Sequence, residues 1–424
     1  MGILKSLKIK YFPSYFKWVY IPLTQKRHKK VVRSIRRKGK ARIAFIVSNI
    51  SMWRCQKLYE LLLSDSRFEP IIVLFPFKGY NQTQQDRCMK DLRSLFESDG
   101  ISFIDLYREE SPANYFHNEV APDIVFYPQP YYDLLDKGMA SENLEKYLLC
   151  YVPYGLNIYH LIWLFNQRFS NIAWRLYLSS PSDMDSAKEY AYNKGQNVRI
   201  VGNPKADEFI NKEHIPSVWK PQDRPKKKVI WAPHYSFVDN GLMDQGTFPQ
   251  VCEDMINLAK RYSDSVQFAF KPHPLLATVL YSHPDWGKEK TDKYYATWAS
   301  MSNTQLETEG YVDLFLSSDA MIHDCGSFTA EYHYTGNPVL FITSDKNRLL
   351  TKLSPLGKDA LNAHYIGEGI GDIERFLKEV VLSGNDSMSE IRNSFYLNHL
   401  LPPNGKSAAQ NIYEDLVESL WSSR

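Results

Sequence analysis

The chain has 424 residues, 44% of them hydrophobic and 23% charged. That is an ordinary globular balance at a length exceeding what one hydrophobic core organises, so two domains of similar size are expected. The net charge of +3 conceals an asymmetry, because no Asp or Glu precedes Glu60 whereas Lys and Arg are frequent from Lys5 to Lys57. Five cysteines, Cys55, Cys88, Cys150, Cys252 and Cys325, are odd in number and lack short paired spacings, which argues against a disulfide framework or a zinc knuckle and fits a reducing cytoplasm.

Residues 1–40 form a basic, aromatic N-terminal segment. Lysines interrupt each of its apolar stretches, so it reads as neither a signal peptide nor a spanning helix, and no later stretch reaches spanning length. Gly2 and Ser6 match a myristoylation pattern that is short enough to recur by chance. Tyr11, Phe12, Tyr15, Phe16, Trp18 and Tyr20 precede the densest cations. That order suits rings entering a headgroup layer while Lys and Arg meet anionic lipid, and it favours a membrane surface over a solvated basic arm or a nucleic-acid arm.

From Ala41 onward the pattern is α/β. ARIAFIVSNI reads as a buried strand, residues 53–63 as a helix and PIIVLFPF as the next strand. Residues 82–97 read as helical, SFIDL and DIVFYP as strands, and LLCYVPYG as a strand ending in a Gly turn. An apolar, aromatic stretch over 160–177, a helix from Ser182 and the strand NVRIVG close an N-terminal Rossmann-like domain, residues 41–205. A polar, proline-bearing linker over 216–228 leads into a second alternation, residues 206–400: KKVIWAP, a helix over 248–262, VQFAFKPHP, YVDLFLSSDAMIHD, a helix at 329–334 and PVLFIT. Residues 401–424 carry an amphipathic C-terminal helix. Two successive open α/β domains place a ligand in the cleft between them, where strand C-termini and helix N-termini face each other.

Lys271-Pro272-His273-Pro274 directly follows a strand, so flanking prolines hold the imidazole at a strand C-terminus. There His273 is able to donate to a phosphate oxygen, with Lys271 adding charge; the structural alternative is a histidine capping the strand end. Asp324-Cys325-Gly326-Ser327 follows the apolar run 320–322 and precedes a helix, an arrangement that presents backbone N–H groups and a hydroxyl to an anion. The alternative is an ordinary helix cap by Ser327. Glu331, one turn further, is placed to accept from a ribose.

These elements occur in a recognisable order. Gly202-Asn203-Pro204-Lys205-Ala206-Asp207, then Ala232-Pro233-His234, His273-Pro274, Asp324 to Ser327 with Glu331, and Asn404-Gly405-Lys406-Ser407-Ala408 together resemble the CDP-glycerol glycerophosphotransferase family of teichoic-acid-type polymer synthesis. The resemblance covers the second half strongly and the first half through its architecture. It implies an α/β GT-B-like fold of two Rossmann-like domains facing across a cleft, a CDP-linked donor held by the C-terminal domain, and transfer to an acceptor hydroxyl with release of CMP. His273, Asp324, Gly326, Ser327, Glu331, Lys271 and Arg392 would bind the donor. Neither a resident cofactor nor a metal is required, although a loosely held Mg²⁺ stays open. The acceptor would be a cell-surface glycan or a lipid-linked molecule, reached from the inner face of the membrane, with no nucleic-acid partner.

The chain departs from the family where its N-terminal domain carries Trp-His-Gly, with that His as general base: here stands Pro153-Tyr154-Gly155. The family's Asp-Tyr-Ser-Ser is Asp324-Cys325-Gly326-Ser327, and its Ala-Pro-Thr is Ala232-Pro233-His234. Tyr154 and Gly155, with His160 just downstream in the same domain, are the acceptor-side candidates. A phenol is almost wholly protonated at neutral pH, so Tyr154 is expected to orient the acceptor and His234 to act as base. Two other readings stay open: a glycosyltransferase using a CMP-activated acidic sugar, and a non-catalytic binding member of the fold.

Overall fold

The computed structural model describes residues 13–129, 135–210, 215–216, 218–237, 246–308 and 310–422. Gly2, Lys5, Ser6, Tyr11 and Phe12, named above, lie outside the described residues. The chain forms two compact units.

The first unit comprises residues 1–155, 161–207 and 402–424. Its helix α1 (Ile21–Lys38) precedes β1 (Ala41–Val47), α2 (Gln56–Leu63), β2 (Phe68–Leu74), α3 (Gln82–Ser98), β3 (Phe103–Asp105), β4 (Ile124–Phe126), β5 (Leu148–Tyr151), β6 (Arg175–Leu178) and β7 (Val198–Ile200). Among the described residues seven strands lie in the order β3-β2-β1-β4-β5-β6-β7, and every pairing between them is parallel. Such a sheet is buried on both faces, which is why ARIAFIV and LLCY read as unbroken apolar runs. Helix α3 starts on a capping box formed by Asn81 and Gln84.

Helix α1 is not a detached arm. Ile35 is wholly buried in the same core as β1 and β2, and Phe16 and Ile21 pack with Ile172. Tyr20 donates to Glu145, which also pairs with Arg27 and Arg168. The opposite side of the segment is bare: Tyr15, Val19 and Leu23 are exposed, and Trp18 is 70% exposed. No helix among the described residues is long and apolar enough to cross a membrane.

The second unit comprises residues 156–160 and 208–401. It contains β8 (Lys227–Ala232), α4 (Phe248–Arg261), β9 (Val266–Phe270), α5 (Gly287–Ser300), β10 (Thr304–Leu306), β11 (Ala320–His323), the short helix α6 (Phe328–Glu331), β12 (Val339–Ile342), β13 (Tyr365–Gly367) and α7 (Ser389–Phe395). Among the described residues its sheet has six strands, again all parallel, in the order β10-β9-β8-β11-β12-β13. The direction of winding reverses between β8 and β11, and open α/β sheets bind ligands at the carboxyl ends flanking such a reversal.

Two features differ from the sequence reading. The closing helix, α8 (Ala408–Trp421), belongs to the first unit, where Ile412, Leu416 and Leu420 join the core of β1 and β2. Its Asp415 pairs with Arg175 and Arg199, while Arg36 of α1 donates to the carbonyls of Ser419, Leu420 and Ser422. Residues 156–160 leave the first unit: Ile158 packs with Leu353 and Leu356, and Tyr159 pairs with Leu353. Amphipathic periodicity identifies the apolar face of an element but not the surface that covers it.

Candidate functional site

The carboxyl ends of β9, β8 and β11 stand side by side and carry His273, His234 and Asp324 in turn. Hydrogen bonding continues past the strands: Lys271 N–H donates to the Trp231 carbonyl at 2.8 Å, and His273 N–H to the Pro233 carbonyl at 3.0 Å. This register brings the imidazoles of His234 and His273 together, ring centroids 4.7 Å apart at 66°, with the Tyr235 ring 4.5 Å from each.

Both imidazoles have one nitrogen committed. His234 Nδ1 lies 2.7 Å from Ser236 Oγ and accepts from Ser236 N–H at 3.3 Å, and His273 Nδ1 accepts from Leu275 N–H at 3.1 Å. A neutral imidazole carries one proton, so this network assigns it to Nε2 in both rings. Burial lowers His234 to about 3, helped by His273, and lowers His273 to about 4, helped by Lys271. At neutral pH the pair is therefore two uncharged N–H donors. This differs from the expectation that His234 acts as base, since its basic nitrogen is the one turned to Ser236.

Asp324 braces this arrangement. Fully buried, it accepts from His234 N–H at 2.5 Å and from Thr247 through both N–H at 2.5 Å and Oγ1 at 2.8 Å. Burial raises its carboxyl to about 6 against the lowering effect of these bonds. These bonds tie the β8 loop to the start of α4. Thr247 and Tyr235 were not singled out from the sequence. Thr247 is 77 residues from its partner, and no local pattern links the two.

Ser327 precedes α6 without a side-chain capping bond and is exposed, so its hydroxyl is not used as a cap. Beside it, Gly326 is buried under Tyr159, a residue the sequence reading passed over although the glycine itself was the signal. Glu331 is buried and accepts from Tyr311 Oη at 2.5 Å. Lys271 is buried as well.

Arg392 lies elsewhere. It is 0% exposed, pairs with Asp386 and donates to the Gly336 carbonyl at 3.2 Å. A guanidinium so enclosed stands near His333 and His364, whose pKa values it helps lower, and the expectation of a donor-binding Arg392 gives way to a structural one. Tyr154 is 41% exposed, with its carbonyl accepting from Arg54 Nε at 3.2 Å, and Gly155 ends the first of the three segments that make up the first unit. His160 is not in the same unit as Tyr154: its N–H donates to the Lys352 carbonyl within the second unit, and its side chain is exposed. Among the described residues no cluster of three His, Cys, Asp or Glu is placed to hold a metal.

Similar folds are found among solved structures. UDP-bound MnaA of S. aureus aligns with a TM-score of 0.58 at 12% identity, covering 90% of this chain and 98% of that one. A histidine-to-asparagine variant of the wall teichoic acid polymerase TagF aligns at 0.56 and 16% identity over 97% and 98%, and a UDP-GlcNAc-bound 2-epimerase of Neisseria meningitidis at 0.54 and 14% over 89% and 99%. These likenesses show the GT-B-like fold. No curated protein sequence matches the chain. The profile of a family described as CDP-Glycerol:Poly(glycerophosphate) glycerophosphotransferase matches residues 165–417, more than half of the chain and all of the motif order above from Gly202 to Ala408. The chain belongs to this glycerophosphotransferase family and is a transferase of its CDP-glycerol-dependent class.

Proposed function

We propose that the protein moves a glycerol-phosphate or related alditol-phosphate group from a CDP-linked donor to a hydroxyl of a cell-surface glycan or lipid-linked acceptor. The acceptor oxygen attacks the β-phosphorus, the bond from that phosphorus to the bridging oxygen breaks, and CMP leaves with the electron pair. The acceptor proton passes to a base. The observation carrying this reading is the pair of neutral Nε2–H donors on His234 and His273 at the winding reversal of the second sheet. Two uncharged, desolvated donors suit a phosphate whose charge shifts onto the bridging oxygen during transfer. Ser327 and the amides near Gly326 supply further contacts, and Tyr154 with Gly155 orients the acceptor.

The committed Nδ1 atoms favour donor roles for both histidines over a base role for His234. Supplying CDP-glycerol or CMP-linked acidic sugars and measuring CMP release separates donor classes. The reading expects release with CDP-glycerol, and release with CMP-sugars alone would replace it with glycosyl transfer.

The N-terminal segment is assigned to the cytoplasmic surface of an anionic membrane. Exposed Tyr15, Trp18, Val19 and Leu23 recur at helical spacing on a segment rich in Lys and Arg, and rings with flanking cations suit the headgroup layer.

A further inference from the structure

Between α1 and the edge of the first sheet lies a cavity of about 470 Å³. α1 contributes Thr24, the adjacent His28 and Lys29, Arg33 and Arg36, which stand on successive turns and so fall along one side of the helix. Residues 171–175, including Arg175, form the facing wall with Asn193, Gln196 and Asn197. Among the described residues, every ionisable group lining the cavity is cationic or imidazole, and no carboxylate lines it.

Several of these groups are already occupied. Arg175 is paired with Asp415, and Arg36 holds the carboxyl end of α8. Asn171, Asn193 and Asn197 are bonded to backbone around them. Four remain. Thr24 is 2% exposed, and its Oγ1 is enclosed without a hydrogen-bond partner. His28 is 8% exposed, and its ring makes no hydrogen bond to any described residue. Lys29 and Arg33 are exposed at the mouth, with no carboxylate partner among the described residues. An enclosed hydroxyl left unsatisfied is costly and uncommon in native proteins.

We infer that this cavity is a second anion site, which takes a phosphate ester through Thr24, His28, Lys29 and Arg33. A tetrahedral oxyanion has enough acceptor lone pairs to meet a hydroxyl, an imidazole N–H and two cations at once, and Arg and Lys on one helix face are a recurrent way of holding phosphate. The same chemistry is offered by a soluble glycerol phosphate and by the headgroup of an anionic phospholipid. The site is independent of His234 and His273, which belong to the other unit.

Burial holds His28 at about 4, with Arg27 beside it and Arg175 across the cavity adding to the effect. The other charged groups facing it, Lys29, Arg33 and Arg36, are of the same sign. A bound anion reverses that field and raises the titration midpoint of the ring.

The test uses the full-length protein, following the His28 ring by NMR while inorganic phosphate, sn-glycerol 3-phosphate, or vesicles of phosphatidylglycerol or phosphatidylcholine are added. The expected result is a rise of at least one pH unit in the His28 midpoint, a tenfold gain in proton affinity, retained in His273→Ala. Binding should weaken at least tenfold in the double variant Lys29→Ala with Arg33→Ala. Thr24→Val, which alters no charge, should weaken it several-fold and guards against a purely diffuse charge effect. A response to the soluble esters identifies a free ligand, and a response to phosphatidylglycerol alone identifies a lipid headgroup. An unmoved His28 midpoint with every additive overturns the proposal, as does binding that disappears in His273→Ala but persists in the double variant.

Discussion

The hydroxyl of Tyr159 stands 2.1 Å from the point at which a side chain on residue 326 would begin, and the ring carbon bearing it stands at 2.7 Å. Residue 326 is therefore glycine for lack of room, whatever its contact with an anion. Gly326→Ala forces the ring or the loop aside, at a cost of roughly 1–3 kcal/mol by analogy with other overpacked sites. Thermal unfolding should register the loss, and adding Tyr159→Phe, which removes the nearest atom, should recover part of it. A full-strength Gly326→Ala protein would mean that the loop yields freely.

Asp324→Asn tests the brace beneath His234. Three donors converge on two carboxylate oxygens, and an amide replaces one of those oxygens with a donor that opposes an N–H group. The expected destabilisation is about 1–3 kcal/mol by urea unfolding, from a buried donor left unsatisfied. Donor affinity should fall in parallel because His234 loses its anchor, and intact affinity in a destabilised variant would detach the brace from the site.

His273→Ala and His234→Ala should each lower kcat by about 10²–10³-fold if each ring donates to charge that develops in transfer. A role as donor also sets the pH response. Neither ring gains a proton until pH falls near 3 to 4 in the free enzyme, so kcat/KM should show no acidic limb near pH 6.5 from these two groups. An acidic limb near that value, abolished by His234→Ala, would restore His234 as the base.

Acid should destabilise the fold. His323, His333 and His364 form a buried group, the first and last joined Nε2 to Nε2 at 3.1 Å, and burial pushes all three well below the ordinary histidine value. His28, His234 and His273 are lowered as well. Between the unfolded value of 6.5 and the lower folded values, the unfolded chain binds more protons, so stability falls with pH by about 1.4 kcal/mol per unit for each such ring. Asp324 acts in the opposite sense: its folded value of about 6 exceeds 3.8, so its contribution is present below pH 3.8 and lost as pH rises through 6. It offsets one histidine, and the sum still favours a lower melting temperature at pH 5.5 than at pH 7.5. A flat profile would contradict the assignment of neutral buried rings.

Removing residues 1–40 should not leave an intact protein. Ile35, Ile21 and Phe16 are buried against the first unit, and exposing or losing such side chains costs roughly 1.5–3 kcal/mol apiece. Membrane attachment is better tested with Trp18→Ser and Leu23→Ser, whose side chains are already exposed. Flotation with anionic vesicles should fall several-fold while the melting temperature holds, and unchanged flotation would remove the proposed membrane contact.

The sequence made some of this architecture plain and hid the rest for identifiable reasons. Strands such as VQFAF and ARIAFIV are apolar throughout because both faces of a parallel sheet are covered, so the alternation and its two halves are readable. His273, His234 and Asp324 could be found because each directly follows such a strand. Arg392 misled because a basic residue before Asn404-Gly405-Lys406-Ser407 carries no local sign of being buried against Asp386 and Gly336. His160 misled because nothing in PYGLNIYH marks the point where the chain changes units. Contacts made across 77 residues, as between Asp324 and Thr247, have no periodicity to betray them.

The return of α8 to the first unit bears on how the chain is made. A ribosome has delivered all seven strands of the first sheet by residue 200, yet the side chains of Ile412, Leu416 and Leu420 that complete its core arrive some two hundred residues later. In the interval the nascent sheet presents an apolar groove, which a chaperone or a neighbouring nascent chain is free to occupy. Stopping synthesis anywhere between the two units therefore yields not a free-standing half but a core with one wall missing.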